Sequence, residues 1–214
     1  MTSIRPPKAL RPANLVGDDS GATLVEYAIV LPLFLLVLFA LIDFGRMGFE
    51  YVMANKAVQL ATRIAITRPP ACAGVVTVNA RGTAVTSPPA IFGTYCRTAA
   101  NICAAPATVT CTGNVSNATV AEIWTSVSKL MPAGTSAANL RFSYAHIPNL
   151  GFLGGPYVPM VTVNIQNLNF QFVTPLNGLA SVALGSPAGI AGSVPFPKMS
   201  VSLPAEDLAL GEAG

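Results

Sequence analysis

The chain has 214 residues, of which 52% are hydrophobic and 10% charged, and its net charge is +3. So little charge argues against a disordered chain, and no cluster of Lys and Arg gives the electrostatic footprint of a nucleic-acid binder. The chain holds one histidine and four cysteines. None of them falls in a Cys-x-x-Cys pair, so neither a metal site nor a cofactor is expected.

Residues 1–21 form a short Pro-rich leader carrying Arg5, Lys8 and Arg11. It opens onto Gly21-Ala22-Thr23-Leu24-Val25-Glu26-Tyr27 and then an uncharged run from Ala28 to Ile42. The stretch Ala22–Ile42 has 21 residues. At about 1.5 Å per residue it would span about 31 Å, one bilayer core. It is longer than the apolar region of a secretory signal, and no small-x-small cleavage signature follows it, so a retained transmembrane helix is expected. Pro32 should kink this helix rather than end it. The basic leader should stay cytoplasmic and the rest of the chain be exported, although Arg46, Lys56 and Arg63 reduce the asymmetry. Glu26 is the one acid within the apolar stretch. A charge costs about 2.5–3.5 kcal/mol near a bilayer centre and less near the interface, so Glu26 is a functional candidate by default. A membrane-edge Glu that snorkels to the headgroups is the plainer alternative.

Beyond the span, Phe44, Met47, Tyr51, Ala54, Val58, Ala61 and Ala65 recur at spacings of three and four. They form a narrow apolar seam, so the helix should continue over 43–68 until Pro69-Pro70 stops it. The seam could pack on the protein's own domain or on neighbouring subunits, and different parts could do each.

The exported domain should occupy 69–214. Its first part holds Cys72, Cys96, Cys103 and Cys111. In an oxidising compartment an even count reads as two disulfides. Three pairings are possible and the sequence does not choose among them. The two local bonds, Cys72–Cys96 and Cys103–Cys111, are the expected pair. Thr119-x-x-Glu122 reads as a capping box opening a helix whose apolar face is Val120, Ile123, Trp124, Val127, Leu130 and Met131, ended by Pro132. Trp124 reads as core rather than as a binding residue.

Alternating patterns then predict strands: Leu140, Phe142 and Tyr144; Val161, Val163 and Ile165; Leu168, Phe170 and Phe172; Met199, Val201 and Leu203. The phase flips at Gln166-Asn167, which implies a bulge or bend. Together they make a small antiparallel sheet with one buried face. The Gly/Ala/Pro-rich stretch 175–197 reads as a long loop, and the acidic tail beyond Pro204 should be exposed. His146 follows in phase with Tyr144 and reads as a half-buried, satisfied side chain. No P-loop, Gly-x-Ser-x-Gly or dinucleotide fingerprint appears, so an enzyme is not expected. The sequons at Asn114 and Asn117 are short enough to arise by chance.

The segment GATLVEYAIVLPLFLLVLFALIDFGRMGFEYVMANKAVQLATRIA resembles the TadE-like family of tight-adherence (Flp-type) pilus systems. The match rests on Gly21, Val25, Glu26, Tyr27, Ala28, Leu31, Pro32, Asp43, Phe44, Gly45 and Arg46. The resemblance implies a pilin-like α+β fold and a minor pilin or pseudopilin with structural and assembly roles. It also implies a leader removed by prepilin peptidase between Gly21 and Ala22. Glu26 would then be the fifth mature residue, poised to pair with the new Ala22 amine of a neighbouring subunit. The implied partners are the bacterial inner membrane, prepilin peptidase, other pilins or pseudopilins and the assembly machinery. The exported domain would lie in the periplasm or on the pilus. A signal-anchored periplasmic domain that binds a ligand or catalyses a reaction is the alternative.

Overall fold

The computed structural model describes residues 20–184, 192–206 and 208. Most of the leader and the end of the acidic tail therefore lie outside the described residues. Helix α1 runs over Ser20–Ile66 and passes through Pro32 without ending. The chain then forms strand β1 (Val109–Thr112), helix α2 (Ala118–Val127), strands β2 (Leu140–Ala145), β3 (Met160–Ile165) and β4 (Asn169–Gln171), helix α3 (Leu176–Leu184), and strands β5 (Ser193–Pro195) and β6 (Met199–Pro204). The fold is α+β: a long N-terminal apolar helix followed by a domain with a small antiparallel sheet.

Two compact units are distinguished, one comprising residues 1–43 and 172–192, the other residues 44–171 and 193–214. In the larger unit β1, β2, β3 and β6 form one antiparallel sheet in that spatial order. Register follows directly from the alternating pattern. Phe142 stands opposite Val163, which stands opposite Val201, and Tyr144 opposite Val161, which stands opposite Leu203. All the apolar partners share one face, because a strand turns successive side chains to opposite sides. On the other face Thr162 and Ser202 share a hydroxyl hydrogen bond of 2.7 Å.

Ala54, Ala57, Val58, Ala61 and Ala65 of α1, together with Val120, Ile123 and Val127 of α2, join Leu140, Phe142, Tyr144, Val161 and Val163 in one core. Alanines on the covering helix let its backbone approach the sheet while the large side chains come from the strands. Each fully buried large apolar residue contributes about 1.5–3 kcal/mol. The apolar seam on the second half of α1 thus belongs to the protein's own domain. Its first member does not, since Phe44 is 55% exposed.

Several expectations are corrected. The disulfides are Cys72–Cys111 and Cys96–Cys103, not the local pairs Cys72–Cys96 and Cys103–Cys111. The reason is topological: pairing of β1 with β2 sets Cys111 opposite Phe142, and the chain leaving α1 crosses there, with the Ala71 N–H donating to the Tyr144 hydroxyl at 2.9 Å. The cap of α2 is Asn117, whose side chain accepts the Val120 N–H at 3.1 Å, not a Thr119–Glu122 box. Thr119 instead donates to the Pro69 carbonyl, and Glu122 pairs with Arg68 at 2.9 and 3.0 Å. The stretch taken as a loop contains α3 and β5; Leu, Ala and Val in LNGLASVAL sustain a helix despite Gly178.

The Leu168–Phe172 pattern does not extend the main sheet. Asn167 adopts φ +55°, the chain turns, and β4 pairs with β5 in a separate ribbon. At the start of the acidic tail Glu206 is exposed, as expected, but the apolar residues around it are packed. Ala205 and Leu208 are buried, and the Glu206 N–H donates to the Ile66 carbonyl at 3.0 Å.

A second, smaller core forms around Cys96, Ile102, Cys103 and Leu153. It is held by backbone rather than bulk. Asn79 is buried, its side chain donates to the Pro156 carbonyl at 2.9 Å, and its main chain bonds Gly154 and Gly155. A Cβ at Gly151 (φ +85°) would lie 2.3 Å from the Asn79 amide nitrogen, so the turn requires glycine.

Candidate membrane and assembly site

From Thr23 to Ile42 the surface of α1 is almost wholly apolar and open. Leu24, Val25, Tyr27, Ile29, Val30, Phe34, Val37 and Leu41 are all exposed. Such a surface is intelligible only in a non-aqueous setting, since soluble monomers rarely leave contiguous apolar patches larger than a few hundred Å². The helix is long and apolar enough to cross a membrane.

Glu26 sits on this apolar surface, exposed, with no partner among the described residues. Gly21 lies at the helix start with nothing within 4 Å of where a Cβ would be. The side chain of Ala22 is outside the described residues. The polar end of the span is built differently. Asp43 is fully buried. Its carboxylate accepts the N–H groups of Val173 and Thr174, at 3.5 and 3.2 Å, and the Thr174 hydroxyl. Arg46 pairs with Glu50 at 3.2 Å and stacks 5.3 Å over the ring of Phe170. Of the acid-Phe-Gly-Arg motif, Asp43 therefore holds Val173 and Thr174 within the smaller unit, and Arg46 lies over Phe170 within the larger one. The sequence showed the motif but not this use of it; its only signal was two charges three residues apart at the end of the apolar run.

On the outer side of α1 just beyond the span, Phe44, Gly45, Gly48, Phe49 and Val52 form an exposed face. Two glycines there leave room for close backbone approach.

The four cysteines serve as braces, joining the end of α1 to β1 and closing the turn between Cys96 and Cys103. His146 lies just past β2, half-buried, stacked 6.0 Å from the Tyr157 ring. Contrary to expectation it is not satisfied, because its Nδ1 is buried without a hydrogen-bond partner among the described residues. It borders a cavity of about 390 Å³ that is also lined by Arg97, Asn101 and Asn149. Asn117, one of the two sequon asparagines, is committed to capping α2 and to the Pro70 carbonyl.

An open apolar span followed by a disulfide-braced α+β domain defines a single-pass, membrane- or signal-anchored protein. Residues 21–63, about a fifth of the chain, match the family model of the TadE-like proteins. No curated protein and no solved structure matches it.

Proposed function

We propose that the protein is a minor pilin or pseudopilin of a tight-adherence pilus, acting by contact rather than by catalysis. Its leader is removed by prepilin peptidase between Gly21 and Ala22, leaving Glu26 as the fifth mature residue. The N-terminus is cytoplasmic before processing, the span lies in the inner membrane, and the domain from 69 onward is periplasmic or on the pilus.

The observation that carries this reading is Glu26, a carboxylate on an exposed apolar helix surface with no partner among the described residues. A counter-charge would stabilise such a group in an apolar medium, and processing would create one: the Ala22 ammonium of a neighbouring subunit. Breaking such a pair costs more than the pair contributes, so it sets register more than stability. The exposed face at Phe44, Gly45, Gly48, Phe49 and Val52 offers a second contact along the same helix. Glu26→Ala should insert normally, since removing a charge lowers the cost of insertion. It should fail to support pilus formation in the native host; normal pili would contradict the reading.

The unpartnered Nδ1 of His146 beside its cavity favours the second reading, an anchored ligand-binding or catalytic domain. A His146→Ala protein that folds and inserts but loses all biological activity would support that alternative.

A further inference from the structure

We propose that the segment Phe172–Leu184 is a second membrane-contacting element, lodged in the leaflet at the C-terminal end of the span and tethered there by Asp43. Three observations carry it. The first is the tether. Asp43 is the first charged residue after the span, and its buried carboxylate accepts the main-chain N–H groups of Val173 and Thr174 and the Thr174 hydroxyl. Residues 173 and 174 thus lie within a side-chain length of the level where α1 leaves the apolar phase.

The second is composition. From Phe172 through Pro197 the chain has no Asp, Glu, Lys or Arg. Helix α3 inside this stretch reads LNGLASVAL. A water-exposed connection of this length would ordinarily carry charge; an uncharged one fits an apolar or interfacial medium.

The third is exposure. Within this unit Leu176 and Ala180 are buried, whereas Val173 is 74% and Val182 is 69% exposed. Among its described side chains α3 thus packs Leu176 and Ala180 and leaves Val182 open, with Val173 exposed just ahead of the helix, and Leu41 and Ile42, next to the tethering Asp43, are also exposed. Nine residues rise only about 13.5 Å, less than half a bilayer core, so α3 cannot cross. It can lie at the headgroup–acyl boundary with its open side toward the chains, as interfacial helices do. The bilayer is the occupant because the tether leaves α3 beside the same apolar medium that the span already occupies.

The test uses the full chain in vesicles of phosphatidylcholine and phosphatidylglycerol. Because the native cysteines are paired, Val182→Cys can be labelled without reduction with an environment-sensitive fluorophore. Val85→Cys, on a fully exposed loop residue, is the aqueous reference. Nitroxide lipids should quench the label at 182 several-fold more than the label at 85, and aqueous iodide should do the reverse. Asp43→Asn should weaken the tether and shift the label at 182 toward iodide. Equal iodide quenching at 182 and 85 would overturn the proposal. So would protection at 182 that persists in detergent together with 182–182 cross-links, which would assign this face to a second copy of the chain. Neither result depends on whether the leader is processed.

Discussion

Removing the two disulfides separately should have unequal consequences. Cys72–Cys111 closes a loop of sequence separation 39, and Cys96–Cys103 one of 7. Loop-closure entropy assigns the longer loop about 4 kcal/mol and the shorter about 2 kcal/mol at 25 °C. The longer bond also ties the end of α1 to the edge strand β1, beside the hydrogen bond between Ala71 and Tyr144. Cys72→Ser/Cys111→Ser should therefore lower the unfolding free energy of the disulfide-braced domain by about 4 kcal/mol, and Cys96→Ser/Cys103→Ser by about 2 kcal/mol. Denaturant unfolding followed by fluorescence of Trp124, which packs at the edge of the main core, measures both. Non-reducing tryptic mapping separates the structural pairing from the local one. Cys103 and Cys111 share one peptide, because no Lys or Arg lies between Arg97 and Lys129. The structural pairing joins peptides 64–81, 82–97 and 98–129 into one species. Local pairing would give 64–81 joined to 82–97 alone, with 98–129 closed on itself. Recovery of that two-peptide species, or equal destabilisation by the two double variants, would refute the reasoning.

Two further outcomes follow from buried groups. Burial pushes the Tyr144 phenol above its ordinary value of 10.0, with the Ala71 N–H acting in the opposite direction. A raised folded value means that this residue's contribution is intact below about pH 10 and is lost as the pH rises through the folded value. Tyr144→Phe should cost about 1–3 kcal/mol at neutral pH, by stranding the Ala71 N–H, and should show less alkaline destabilisation than the parent protein. Parallel pH profiles of the two proteins would contradict this. His146→Ala should change stability by about 0.5–3 kcal/mol in the same unfolding assay, and function should persist in protein that folds.

Much of the scaffold was legible in the sequence. The span, the helix through to residue 66 and the three strands of the main sheet that carry strict alternation all follow from period and breakers. What was missed shares a physical cause: it depends on which distant segments meet. β1 is only four residues long, and the cysteine pairing follows from its place at the sheet edge. The cap at Asn117 was hidden because Thr119 and Glu122 fit a local motif, yet are taken by Pro69 and Arg68, more than forty residues earlier. α3 was masked by flanking glycine and proline, although its own nine residues favour a helix. The candidate site divides in the same way. Glu26 stands out because a lone acid in an apolar run is costly wherever the run is placed, whereas Gly21 and Ala22 are singled out by the resemblance to the TadE-like family. The roles of Asp43 and Arg46 emerge only once Phe170 and Thr174 are brought to them.

The central claim, that the chain is a processed pilin-type subunit, is tested most directly by the mass of its N-terminal peptide in membranes of the native host. The account predicts a chain beginning at Ala22, and a precursor heavier by Met1–Gly21 when Gly21 is replaced by Asp. A chain that still begins at Met1 in cells with an active prepilin peptidase would contradict it.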